Sequence, residues 1–294
     1  MPIHHILFGF VVSLVWGVNF VVMKIGLEHL SPFFFMALRF AIVFLILFPW
    51  LRIVNGKMKL IFAVGLCLGG LHFAFAIMGL KLTENVTSII IIVQMHVPLT
   101  LIMAHFLLKE RLSYWRGSGI IVAFIGVLII SFDPAIMHER IAIVVIFGAT
   151  MLYSIGAILM RQLQNVGVLN TQAWTAIFGV PILLSLSVFF EADQLEQVMT
   201  LNMEGWGAVF YTAVLSSVVG YGGMNFLLKR HPVPLIAPIF LSTPLFATAA
   251  AVIVFDEVLT TRFYIGTGLT LIGLAVIHLR DWWKKRQIVQ ELLP

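Results

Sequence analysis

The chain is short of charge: 11% of its 294 residues are Asp, Glu, Lys or Arg, where a soluble domain carries roughly a quarter. Hydrophobic residues make up 61%, and the mean hydropathy is +1.06. So little polar surface cannot cover a water-facing globule, and lipid must be the solvent for most of the chain. Cysteine is nearly absent. The single Cys67 lies in an apolar run, which excludes an intramolecular disulfide and any multi-cysteine metal or iron–sulfur site. No Gly-x4-Gly-Lys-Ser/Thr phosphate loop occurs and no length remains for a nucleotide-binding domain, so transport, if present, is secondary or facilitated. Neither a nucleophile–base pair at depth nor a Gly-x-Ser-x-Gly turn is found, so no enzyme is expected. All 13 acidic residues fall at helix ends or in loops, which argues against proton coupling through a buried carboxylate.

What remains is a series of ten apolar runs: 6–24, 32–51, 60–80, 86–108, 117–132, 141–160, 171–190, 206–228, 234–255 and 263–279. The connections are too short to fold alone, so neighbouring helices are expected to be antiparallel in one all-α bundle. With the N-terminus in the cytoplasm, ten spans return the C-terminus there. Thirteen of the 18 basic residues then fall inside, including Arg52, Lys57, Lys109, Arg161, Arg230 and Lys284, while ten of the 13 acidic residues fall outside. The first span lacks a small-residue cleavage site and reads as a retained helix rather than a signal peptide. Trp282 and Trp283, followed by Lys284, Lys285 and Arg286, read as an interfacial anchor.

Two stretches match at an offset of 147 residues. Lys109-Glu110-Arg111-Leu112 with Gly119 and Gly126 repeats as Asp256-Glu257-Val258-Leu259 with Gly266 and Gly273, each after a Pro-Leu pair, Pro98-Leu99 and Pro244-Leu245. Each half then holds five spans, and because five is odd the halves are inverted about a pseudo-two-fold in the membrane plane. The expected division is 1–137 for spans 1 to 5, 138–280 for spans 6 to 10, and a cytoplasmic tail, 281–294. Inverted halves supply two near-equivalent arrangements around a shared site, the geometry of alternating access.

Trp16-Gly17-x-Asn19-Phe20 with Lys24 in span 1, Arg39-Phe40 in span 2, and the paired Glu-x-Leu-x6-Gly-x6-Gly closures resemble the EamA-type branch of the drug/metabolite transporter superfamily. The resemblance covers essentially the whole chain. It implies a bacterial inner-membrane secondary transporter that exports or exchanges small polar metabolites, amino acids or derivatives first, through a cavity lined mainly by spans 3, 4, 8 and 9 with contributions from spans 1, 2, 6 and 7 and with spans 5 and 10 peripheral. A multidrug or lipophilic-cation exporter is the alternative, and a solute channel a more distant one. The expected partners are a small-molecule substrate and membrane lipids, with no nucleic acid and no cofactor; a homodimer is an allowed assembly.

Polar side chains within lipid either pair inward or lie on a substrate path. Trp16 and Asn19 share a helical face, and Asn19 is either interhelical glue or a substrate contact. Arg39 lies seven residues past Pro32, about 10 Å into the membrane. It either snorkels outward or meets a carboxylate or phosphate in the cavity. His72 is near the middle of span 3, and Gln94 and His96 precede Pro98, where a kink frees backbone carbonyls. His96 and His105 point oppositely, so they form no metal site. Ser217, Tyr221 and Asn225 make a stripe at four-residue spacing beside Gly220, Gly222 and Gly223. Ser242 and Thr243 precede Pro244 and mirror the irregularity at Pro98. Tyr153, and Gln172 with Trp174, are weaker substrate-contact candidates, since aromatics there also serve packing or the interfacial belt. If protons are coupled, His72 or His96 is the available carrier.

Overall fold

Apolar sequence surrounded by lipid has no water to satisfy its peptide groups, so it must close its hydrogen bonds within each segment as helix. The structure, a computed structural model, describes residues 1–109, 113–134, 139–163, 165–231, 236 and 239–291, with side chains through Ile277 except that of Lys229. Among these residues there is no strand. Ten helices carry the fold: α1 Ile3–His29, α2 Pro32–Trp50, α3 Met58–Leu82, α4 Val86–Leu108, α5 Tyr114–Ser131, α6 Arg140–Arg161, α7 Val168–Phe190, α8 Met203–Leu228, α9 Thr243–Phe255 and α10 Thr261–Glu291. A short helix, Gln194–Met199, lies between α7 and α8. The first eight are long and apolar enough to cross a membrane, while α9 and the apolar part of α10, Thr261–Ile277, are shorter. The ten helices form two inverted five-helix repeats.

Helix ends follow local chemistry. The side chains of Asn85, Ser113 and Asn202 accept from the amides of Ser88, Arg116 and Gly205, capping α4, α5 and α8. α4 ends at Lys109 (φ 54°) and α9 at Asp256 (φ 52°), both left-handed, and the two are repeat mates at the 147-residue offset. The repeated pair thus stops a helix with its first residue and turns its second, Glu257, back toward the bundle. Glu110, Arg111 and Leu112, and the side chains of Trp282, Trp283, Lys284, Lys285 and Arg286, lie outside the described residues. The run expected at 234–255 is interrupted: Ile236, Ile239 and Phe240 are helical, Leu241 and Ser242 form a turn, and the helix restarts at Thr243 with Pro244, which has no N–H to carry the ladder across the break, in its first turn.

Two stretches depart from regular α-helix at matching places. Gly65–Leu71 in α3 and Tyr211–Gly220 in α8 wind with wider, five-residue turns, again about 147 residues apart. Each half lends its first helix to the other: α1 packs on α8 and α9, and α6 on α3 and α4. Helices α2 and α7 pack together, as do α5 and α10. The α5–α10 seam is built on glycine. A Cβ at Gly119 would stand 2.8 Å from the carbonyl oxygen of Gly273, and one at Gly266 would stand 2.6 Å from that of Gly126, so repeat mates make the same contact from opposite sides. Another close approach sets α3 on α7, where a Cβ at Gly179 would stand 2.9 Å from the oxygen of Gly69. Only small residues allow helix backbones this near, and without a hydrophobic drive in lipid such packing is what holds helices together.

Overpacking a seam of this kind costs about 1–3 kcal/mol. Gly126→Val is therefore expected to lower the thermal midpoint of the purified protein, whereas Gly268→Val, on the same helix pair with nothing within 4 Å of its Cβ position, leaves it unchanged. Equal midpoints for the two variants would refute the seam.

Candidate functional site

A cavity of ≈ 340 Å³ lies between α2, α3, α6, α7 and α8. Its lining begins at Arg39, Phe73, Tyr153, Thr175 and Ser217, near the middle of their helices, and runs to Met160, Leu163, Val166 and Leu228 around the α6–α7 connection. No lining residue lies nearer the opposite face. There Phe35 and Met36, one turn beyond Arg39, are fully buried. The cavity is thus a blind pocket reached from the face that carries the basic loops.

Arg39 is its centre. The side chain is 2% exposed and lines the cavity, so it does not snorkel outward. Its Nε and Nη2 donate to Ser217 Oγ at 3.1 and 3.0 Å. Nη1 has only the thioethers of Met23 and Met36, at 3.8 and 4.0 Å. Cζ stands 4.7 Å from the Phe73 ring centroid and 5.8 Å from that of Phe40. No carboxylate lines the cavity, and Arg39 has no acidic partner among the described residues.

Ser217 is the hub. Its hydroxyl donates to Thr212 O, five residues back, at 2.9 Å, a bond that the widened turn of α8 makes available. That commits the proton and leaves the lone pairs to Arg39. The Ser217 carbonyl accepts from Gln172 Nε2 at 2.8 Å. A carbonyl can only accept, so the Gln172 amide is oriented with Oε1 as its free end, and that oxygen is buried with no hydrogen-bond partner. A cation short of acceptors and an acceptor short of donors are therefore tethered to one serine.

An aromatic wall completes the pocket. His72 Nδ1 donates to Ala149 O at 2.9 Å, which fixes the orientation of the ring. The His72 ring stands 5.2 Å from Tyr153, which in turn stands 5.1 Å from His96. His96 Nδ1 donates to Val93 O at 2.9 Å, and the His96 carbonyl accepts from Thr100 and Ser154 hydroxyls. Around Pro98 the helix tightens, with Met95 N donating to Ile92 O and Val97 N to Gln94 O.

Of the residues singled out in the sequence, Arg39, His72, Tyr153, Gln172, Ser217, Tyr221 and Asn225 line this one cavity, and His96, beside Tyr153, is not part of the lining. Asn225 Nδ2 is spent on Tyr221 O at 2.7 Å. Trp16 sits behind the wall, its ring 5.3 Å from Tyr221 and its Nε1 donating to Ser216 O at 3.0 Å. Asn19 is buried and donates to Met23 Sδ at 3.0 Å, one step from Arg39, with its Oδ1 unpartnered. Gln94 and Ser242 lie at the irregular turns of α4 and before α9 and are not part of the lining. Trp174 also lies off the cavity: its Nε1 donates to Arg52 O at 3.0 Å and its ring stacks on Phe178. Phe40 and Phe73 beneath the guanidinium carried no periodic signal that sequence reading could use, and Gln172 looked minor because its significance comes from Ser217, 45 residues away.

The opposite face is tied shut by carboxylates on helix N-termini, where the helix dipole favours negative charge. Glu191 accepts from the amides of Phe33 and Phe34 at 2.7 and 3.0 Å at the start of α2. Glu257 accepts from Val86 and Thr87 at 2.7 and 3.0 Å at the start of α4. Glu139 accepts from Glu84 and Asn85 amides at 2.7 and 3.1 Å. Lys24 reaches Leu80 O at 3.0 Å and also Thr83 O, linking α1 to the end of α3. The three carboxylate contacts cross between halves, so they must break if that face is to open, whereas the Lys24 contacts lie within the first half.

Comparison with known families matches the EamA-like transporter family over residues 4–132 and 140–279. A relative from Salmonella typhimurium named "Probable amino-acid metabolite efflux pump" is 28% identical over 277 residues, covering 90% of this chain and 91% of its own. A relative of the same name from Escherichia coli is 26% identical over 288 residues, covering 93% and 94%. A solved crystal structure aligns with TM-score 0.66 and 18% identity over 95% of this chain and 98% of that one, a likeness of fold alone.

Charge-assisted caps contribute about 1–2 kcal/mol, whereas an exposed ion pair contributes ~0–1 kcal/mol. Glu257→Ala should therefore lower the thermal midpoint clearly. Glu204→Ala, which removes a 3.5 Å pair with His29 at the surface, should hardly move it, and the reverse order would show that the α4 cap is not a structural tie.

Proposed function

The chain belongs to the EamA-like transporter family, which makes it a membrane transporter of metabolites rather than an enzyme, and we propose that it exports small amino acids or close derivatives by alternating access. The observation that carries this reading is the pair of unmet polar groups on Ser217. Arg39 offers charged donors to a carboxylate, and Gln172 Oε1 offers a buried acceptor to an ammonium or other N–H group. Between and below them the wall is apolar and aromatic, from Phe40, Phe73, Tyr153, Met160 and Leu163, which suits an apolar side chain. A volume of ≈ 340 Å³ is at the low end of the roughly 300–1,000 Å³ of small-molecule sites. Two relatives of nearly full coverage named as probable amino-acid metabolite efflux pumps support the same substrate class.

The cavity opens on the face whose loops carry most of the lysine and arginine. Under the positive-inside rule that face is cytoplasmic, which supports termini in the cytoplasm of a bacterial inner membrane and an inward-open state ready to load. Export then requires the basic face to close over the solute and the carboxylate ties of the acidic face to release. The blind end at Phe35 and Met36 favours a carrier over a continuous pore, and the uncompensated Arg39 disfavours lipophilic cations.

Thermal stability of the purified protein tests the reading, since a solute bound by the native state raises the midpoint. L-Leucine, L-methionine and L-phenylalanine are expected to raise it and tetraphenylphosphonium to leave it unchanged. Gln172→Leu should weaken the amino-acid effect about tenfold or more, the worth of one hydrogen bond to a charged group. A shift with the lipophilic cation alone would replace amino-acid export by drug export.

A further inference from the structure

We propose that the basic face carries a site for one anionic phospholipid, where the first turn of α1 meets the end of α8: His4, His5, Arg230 and His231 hold the headgroup phosphate, and the apolar flank of α1 with Phe226 receives an acyl chain. Amino-acid export makes no use of these histidines, and the site stands or falls without it.

The cluster joins two residues 226 positions apart. His5 Nδ1 stands 2.6 Å from His231 Nε2, and the His4 ring centroid lies 4.4 Å from that of His5. A hydrogen bond between two ring nitrogens needs one proton and one lone pair, so this contact cannot form when both rings are charged. Arg230 stands beside the pair, with Cζ 3.8 Å from the Phe226 ring centroid. It is exposed and spends one N–H on Phe226 O at 3.4 Å, which leaves most of its donor fork for an anion. The charged and titratable groups that face His5 are His4, His231, Arg230 and the N-terminal amine, and among the described residues no carboxylate forms an ion pair with any of them. Several cationic or ionisable groups without a counter-charge, on the face of a membrane protein that carries the basic loops, are suited to a lipid phosphate.

The surroundings favour a lipid over a free anion. Ile3, Leu7 and Val11, four residues apart along α1, are apolar and exposed, so this flank of the helix faces lipid. His4, seven residues before Val11, is on the same flank and is exposed. Phe226 is exposed as well, with its ring 5.4 Å from His5 and 5.8 Å from Phe8. A cationic head with an apolar flank running away from it along one helix matches a phosphate joined covalently to an acyl chain. Phosphate beside the imidazoles favours their charged forms. His5 and His231 then turn their N–H groups to the phosphate instead of sharing a proton, and the lipid bridges α1 to the end of α8. Binding therefore takes up protons, and linkage makes it tighter as the pH falls through the range in which imidazole titrates.

The test uses the full-length protein, stripped of lipid in a nonionic detergent, and reads its thermal midpoint against dioleoylphosphatidylglycerol, dioleoylphosphatidylcholine and glycerol phosphate at pH 6 and pH 8. The anionic lipid is expected to raise the midpoint, at about tenfold lower concentration at pH 6 than at pH 8, and the other two to leave it unchanged. An equal rise with phosphatidylcholine would overturn the site, and an equal rise with glycerol phosphate would assign it to a soluble anion and overturn the lipid. His5→Gln with His231→Gln should respond to phosphatidylglycerol equally at the two pH values, and Arg230→Gln should weaken the response about tenfold at both. Lys59→Gln, which removes an exposed cation elsewhere on the same face, should keep the native response. A pH dependence retained by the double histidine variant, or a loss in Lys59→Gln equal to that in Arg230→Gln, would show that general surface charge and not this cluster binds the lipid. Native mass spectrometry of the unsubstituted protein is independent of how the variants fold: from an equimolar lipid mixture one phosphatidylglycerol should be retained in preference to phosphatidylcholine, and indiscriminate retention would overturn the site.

Discussion

Arg39 stands about 10 Å inside the membrane with its charge answered by one hydroxyl, two thioethers and two ring faces. Much of the surrounding structure follows from holding it there. Ser217 donates its own proton to Thr212 O, which orients its lone pairs toward Arg39, and it reaches that oxygen because α8 is wound with five-residue turns between Tyr211 and Gly220. The widened helix in turn needs small neighbours. Gly220 leaves the space in which the Trp16 indole sits, and Trp16 joins α1 to α8 through Ser216 O. A charge, a hydroxyl, a helix irregularity and a glycine thus form one chain of dependence reaching from α2 through α8 to α1.

The two faces of the molecule are held by different chemistry. On the acidic face, carboxylates of Glu139, Glu191 and Glu257 accept from backbone amides at helix starts. On the basic face the comparable tie between α2 and α7 is neutral: Asn170 bonds both backbone groups of Arg52, at 2.9 and 3.1 Å. Charge-assisted bonds outweigh neutral ones by roughly twofold, which is consistent with a structure closed on the acidic side and open on the basic one. The same placement keeps negative charge out of the cavity, where it would compete with an anionic solute for Arg39.

Ten spans and the inverted repeat were legible in the sequence because both rest on signals that do not depend on contacts: run length against bilayer thickness, and identity at a constant offset. The cavity was legible in part. Arg39, His72 and the Ser217, Tyr221 and Asn225 stripe stood out as polar groups that lipid will not tolerate. What could not be read was pairing. Gln172 becomes a site residue through the carbonyl of Ser217, Phe73 through the face it turns to Arg39, and Trp174 leaves the candidate site through the carbonyl of Arg52. The widened turns escaped as well, since five-residue winding leaves no periodic mark in a stretch that is apolar on every side.

The pseudo-two-fold governs backbone and not chemistry. Glycine seams, left-handed helix ends at Lys109 and Asp256 and widened turns in α3 and α8 recur in both halves, and these are the parts that a rocking carrier must possess twice, once for each state. The polar site does not recur. At the 147-residue offset Arg39 faces Leu186 in the repeat, and Ser217 faces Gly70. Gly70 packs so closely on α7 that a Cβ there would stand 2.6 Å from Ile182, so the widened turn that holds a binding hub in α8 serves helix packing in α3. A duplicated frame with an unduplicated charge leaves one polar site between the two halves, as the proposed alternating access would use it. That is the arrangement alternating access needs, because two copies of Arg39 would place like charges in the same low-dielectric pocket.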